Sequence, residues 1–71
     1  MILYGKEHCP NCEMAKALLD KFHFEYEYIT FEQNPDLAYK YNVTNVPVLI
    51  TDNGEVIRSN MNIKKWVSET L

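Results

Sequence analysis

Cys9 and Cys12 are the only cysteines in the chain, and Pro10-Asn11 lies between them. A thiolate is both a nucleophile and a metal ligand. A pair at this spacing can therefore exchange disulfides, staple the chain or hold part of a metal centre. The staple is a weak reading, because bridging Cys9 to Cys12 closes a tiny loop and constrains little of the unfolded chain. A secreted domain held by disulfides carries more cysteines at wider spacing. A structural zinc site takes four N or S ligands. Only His8 and His23 could complete one, and His8 adjoins Cys9 too closely for easy geometry. A zinc or iron–sulfur module using Cys9 between two chains remains the alternative of another class. Reactivity is the stronger reading, because of where the motif falls among the elements around it.

Residues Met1 to Gly5 read as a short apolar strand. Pro10 suits the first position of a helix. After it, Cys12, Ala15, Leu18, Leu19 and Phe22 recur at helical spacing, with Glu13, Lys16 and Asp20 on the other side. Phe24, Tyr26 and Tyr28 alternate with Glu25 and Glu27, which predicts an edge strand with one wet face. Asn34-Pro35 supplies a cap and a first residue for a short helix bearing Leu37, Ala38 and Tyr41. Val46 to Thr51 is apolar and β-branched. Asp52-Asn53-Gly54-Glu55 is a hairpin signal, and Glu55 to Ser59 forms the returning strand. Asn62 caps a last helix with Ile63, Trp66, Val67 and Leu71 on one face. The order is β-α-β-α-β-β-α over residues 1–71, a single domain. The first β-α-β makes a right-handed parallel crossover, and the hairpin makes the last two strands antiparallel. An α/β fold follows, with a mixed four-stranded sheet flanked by helices. Its size and order are those of the thioredoxin fold.

In that frame Cys9 sits where the first helix begins, at the rim, and Cys12 points inward with Ala15, Leu19 and Phe22. Residues three apart on a helix are neighbours, so the sulfurs can meet. Free N–H groups and the positive end of the helix dipole favour the Cys9 thiolate, and Lys6 adds a nearby positive charge. Such settings bring a cysteine pKa from about 8.5 into the range of roughly 3.5–7.5. Cys9 is then the attacking sulfur and Cys12 the resolving one.

Pro47 has an ordinary reading as a strand-start proline. Its functional reading is a cis Val46-Pro47 bond facing the cysteines. The N–H and C=O of Val46 would then be free to pair with an extended peptide or glutathione backbone. The fold context favours the second. Tyr4 reads as core, His8 as a loop residue and Trp66 as packing for the last helix. Arg58 and Ser59-Asn60-Met61-Asn62 lie within reach of a ligand's charged end, although a solvated turn is the plainer reading.

Composition narrows the function classes. At 46% hydrophobic and 24% charged, the chain is globular rather than disordered. A net charge of −3 argues against nucleic acid, which needs a basic face. The apolar run Val46 to Ile50 is far too short to span a membrane. No signal-peptide core follows Met1. A cytoplasmic monomer is expected.

The sequence resembles a glutaredoxin. The resemblance rests on Gly5-Lys6-Glu7-His8-Cys9-Pro10-Asn11-Cys12 after the first strand and on Asn45-Val46-Pro47 before the third. It implies that Cys9 is the nucleophile and Cys12 resolves. It implies that Lys6 holds the glutathione carboxylate and steadies the thiolate, and that Val46 and Pro47 bind the glutathione backbone through a cis-proline element. It also implies no bound cofactor, glutathione as reducing co-substrate and disulfide-containing proteins as substrates. Two departures stand beside it. Asn11 replaces the usual Tyr, and Ser59-Asn60-Met61-Asn62 replaces the Gly-Gly-acid turn that holds glutathione's γ-glutamyl end. Some short glutaredoxin-like proteins are fed by thioredoxin reductase and supply ribonucleotide reductase, which sets the alternative donor and target.

If Lys6 steadies the thiolate, Lys6→Ala raises the pKa of Cys9. Ultraviolet titration of the thiolate checks this, and an unchanged curve removes Lys6 from the site.

Overall fold

Strand β1 (Ile2–Gly5) is apolar on both faces because it is covered on both faces. The computed structural model describes all 71 residues, Met1–Leu71. After β1 come α1 (Pro10–Lys21), β2 (Glu27–Thr30), α2 (Asp36–Lys40), β3 (Val48–Ile50), β4 (Val56–Arg58) and α3 (Ser59–Thr70). The four strands form one sheet in the order β2-β1-β3-β4. Strands β1 and β2 run parallel, with Ile2 opposite Glu27 and Gly5 opposite Thr30. Strands β1 and β3 are antiparallel, as are β3 and β4. This is the mixed sheet and element order of a thioredoxin-like α/β fold.

Neighbouring strand residues point to opposite faces, so Leu3 and Tyr4 belong to different cores. Leu3 and Leu49 pack with Ala15 and Leu19 of α1 and with Ile63 and Val67 of α3. Tyr4, Val48 and Ile50 pack on the other face against Leu37, Ala38, Tyr41 and Val43. Trp66 packs the last helix as expected, its ring 5.3 Å from that of Phe24. The hairpin turns through Gly54 at φ 84°, a left-handed value that glycine adopts without penalty. No helix is long and apolar enough to cross a membrane.

Several local expectations need correction. Asn34 does not cap α2. Pro35 holds that place without a side-chain cap, while the Asn34 carbonyl accepts the Tyr4 hydroxyl at 2.8 Å. Asn62 does not cap α3, which starts three residues earlier at Ser59 with Arg58 at the cap position. The polar run Ser59 to Asn62 is therefore helix rather than a turn. Phe22 is the C-cap of α1 and is exposed, and Leu71 is exposed as well. Strand β2 begins at Glu27, three residues later than its alternation suggested, because Phe24 and Tyr26 pack on the core from the connecting segment.

Tyr26 fastens that segment by donating its hydroxyl to Asp20 Oδ1 at 2.8 Å. Burial, followed by this hydrogen bond, pushes Tyr26 up to about 12. Burial raises Tyr4 and Tyr28 as well. An unfolded tyrosine ionises near its ordinary value of about 10. The folded form keeps its protons longer, so this stability is fully present below about pH 10 and is lost as pH rises toward about 12. Tyr26→Phe is expected to flatten that alkaline loss, measured as urea midpoints at stepped pH. An identical slope in the variant would refute the linkage.

Candidate redox site

The site begins with a helix that uses sulfur as its cap. Cys9 has extended backbone, φ −117° and ψ 102°, and Pro10 follows as the first helical residue. The Cys9 carbonyl accepts the Glu13 N–H at 3.0 Å. Its Sγ accepts the Cys12 N–H at 3.1 Å, where a helix commonly places a serine or aspartate oxygen. The two sulfurs are joined as a disulfide, with the Cα atoms 5.2 Å apart. Cys12 is fully buried, while Cys9 is 6% exposed. Cys12 thus points inward as the spacing predicted. In the oxidised pair Cys9 lies deeper than the open rim expected of it, but it still lines a surface groove.

That groove has a volume of about 440 Å³. Lys6, His8, Cys9 and Asn11 form one side, and Phe31, Glu32, Thr44, Asn45 and Val46 come from the other. The sheet explains the meeting. Strand β1 delivers the loop before Cys9, β2 ends at Thr30 just before Phe31 and Glu32, and Val46-Pro47 leads into β3. The Val46–Pro47 peptide bond is cis. The Pro47 carbonyl accepts the Ser59 N–H at 3.3 Å. Neither backbone group of Val46 bonds to a turn, loop or side chain. A second hollow of about 270 Å³ continues past Pro47 between Asn11, Arg58 and Asn60.

The loop between β1 and α1 is pinned from β2 and its following turn. The Tyr28 hydroxyl donates to the Lys6 carbonyl at 3.0 Å. Glu32 Oε1 accepts the Glu7 N–H at 3.2 Å. Lys6 itself is exposed beside the groove. Arg58 is already engaged, donating to the Asn42 and Tyr41 carbonyls at 3.0 and 2.8 Å. It holds the end of α2 in place instead of standing free for a ligand. No three His, Cys, Asp or Glu side chains converge within the chain.

Three contacts at the site have no local mark in the sequence. Tyr28 shares a side with Phe24 and Tyr26 and packs on the core with them, and its hydroxyl also reaches the loop before Cys9. Its signal was the crossover, since a parallel β1–β2 pair sets Leu3 opposite Tyr28. Asn60 Nδ2 donates to the Asn11 carbonyl at 2.9 Å, tying the start of α3 to the residue between the cysteines. Nothing local in the sequence marks that contact. Gly5 ends β1 and opens the Gly5-to-Cys12 motif, but the sequence does not show what crowds it. A Cβ there would lie 2.5 Å from the Tyr28 hydroxyl oxygen and 2.9 Å from Cys12 Sγ.

A buried disulfide at the head of α1, opening on a groove beside a cis proline, defines the class. The chain belongs to the Glutaredoxin-like domain (DUF836) family, whose pattern matches residues 1–69. Among curated proteins it is similar to the SPbeta prophage-derived thioredoxin-like protein YosR of Bacillus subtilis (strain 168). The two are 27% identical over 66 residues, which cover 90% of this chain and 82% of that protein.

Gly5→Ala is expected to destabilise the oxidised protein by about 1–3 kcal/mol, as overpacking does. Urea unfolding measures it. An unchanged midpoint would mean that Tyr28 and Cys12 yield freely.

Proposed function

We propose that the protein is a dithiol–disulfide oxidoreductase that reduces protein disulfides or glutathione mixed disulfides through Cys9 and Cys12. The observation that carries this reading is the position of the pair. One sulfur caps a helix and lines a groove, and the other is bonded to it from within the core. Opening the pair frees a Cys9 sulfur that already accepts a backbone N–H and sits at the positive end of the helix dipole. Both favour the thiolate. That thiolate attacks a target disulfide and forms a mixed disulfide. Cys12 then attacks Cys9 Sγ, and the target leaves as a thiol.

Substrate backbone docks at Val46, whose N–H and C=O have no partner in the turns or loops. Lys6 stands beside the same groove to meet a carboxylate. The place of action is a reducing compartment such as the cytoplasm. Electrons come from glutathione or from thioredoxin reductase, and ribonucleotide reductase is a fitting target class for the second supply. Zinc or iron–sulfur binding through Cys9 fits less well, since further ligands would have to come from a second copy.

Cys9→Ser is expected to abolish disulfide reduction. Cys12→Ser is expected to trap mixed disulfides while keeping activity toward glutathionylated substrates. A coupled assay comparing glutathione and its reductase with thioredoxin reductase reads both variants and the donor together. Faster alkylation of Cys12 than of Cys9 in the reduced protein would reverse the assignment.

A further inference from the structure

Cys12 is fully buried, yet as the resolving sulfur it must pass through a thiolate. A buried anion is costly unless a donor or a cation meets it. The helix N-terminus serves Cys9, whose sulfur takes the Cys12 N–H. Something else must serve Cys12, and the surroundings of Gly5 show what is available.

The site of the missing Gly5 side chain is flanked by Cys12 Sγ and the Tyr28 hydroxyl oxygen, each within 3 Å of the position a Cβ would take. The Tyr28 hydroxyl now donates to the Lys6 carbonyl at 3.0 Å. A hydroxyl proton rotates about its C–O bond to suit the acceptor offered. Lys16 follows Cys12 by four residues on α1, which puts both on one face. Its ammonium lies over the Tyr28 ring, 4.5 Å from the centroid, with the side chain only 32% exposed. Glu13 holds it from the solvent side at 3.6 Å. Strand β1 therefore leaves a gap, β2 fills it with a phenol, and α1 places a cation over that phenol.

We propose that Tyr28, with Lys16 above it, stabilises the Cys12 thiolate during the resolving step. This rests on the redox reading given above. In the mixed disulfide Cys12 is a thiol. Its proton passes to water and ends on the departing target sulfur. The Cys12 thiolate attacks Cys9 Sγ, the Cys9–target S–S bond breaks, and the Cys9–Cys12 bond forms. Tyr28 stays a phenol throughout. Its hydroxyl turns from the Lys6 carbonyl toward Cys12 Sγ while that sulfur is anionic and returns when the disulfide closes.

Reaction of the reduced protein with dithionitrobenzoate separates the two steps. Each step releases one yellow thionitrobenzoate, first on attack by Cys9 and then on resolution by Cys12. Tyr28→Phe keeps the ring and removes the hydroxyl. The expected result is a second phase slowed about tenfold beyond any change in the first, the loss of one hydrogen bond to a charged sulfur. Lys16→Met is expected to slow the second phase in the same sense, and it gives the readout if Tyr28→Phe does not fold. A second phase within twofold of wild type in the folded variant overturns the proposal. So does equal slowing of both phases, which marks a merely structural role. A wild-type protein that releases only one equivalent overturns the redox reading instead.

Discussion

The bond from the Cys12 N–H to Cys9 Sγ is the contact on which the rest turns. A helix leaves its first N–H groups without partners. Here one of them is satisfied by a cysteine sulfur of the disulfide. The cap and the proposed nucleophile are the same sulfur, so the start of α1 fixes where Cys9 lies. Pro10 strengthens the arrangement, because it fixes the backbone at the first helical position and has no N–H to satisfy. A thiolate accepts this hydrogen bond more strongly than a disulfide sulfur does. The helix start therefore holds its sulfur most tightly when that sulfur is a thiolate.

The sheet exists to aim that helix. Strand β1 is central, and its two faces anchor two separate cores. One face takes α1 and α3, which bury Cys12 from the side. The other takes α2 and the segment leading to Val46, which supplies the opposite wall of the groove. Because β2 runs parallel to β1, its end arrives at the same edge of the sheet as the start of α1. Three chain segments distant in sequence are thus brought to one place by strand order alone.

The parts of the fold carried by periodicity were legible. The helical spacing from Cys12 to Leu19, the Asp52-to-Glu55 turn and the apolar third strand each have a local cause, and each lies where its pattern put it. The α/β class and the inward position of Cys12 followed from them. The misread boundaries share a different origin. Asn34 and Asn62 are good capping residues by type, but Pro35 and Arg58 hold those places and neither caps with its side chain. Ser59 adopts φ 72°, which permits the abrupt start of α3 and which no propensity would assign to serine. Within the site, the cysteines and Val46-Pro47 could be read because they form short motifs. Tyr28, Glu32 and Asn60 could not, because each acts across the fold on a backbone atom that is silent in sequence.

The sheet also has two open borders. Its outer strands, β2 and β4, have four and three residues. Each presents unpaired backbone groups, which in longer strands invite a neighbouring chain to dock and stack. Here the borders are brief and carry Glu27 on one side and Arg58 on the other. Borders this short, each with a charge at one end, offer a neighbouring chain few bonds and discourage the growth of fibrils at high concentration.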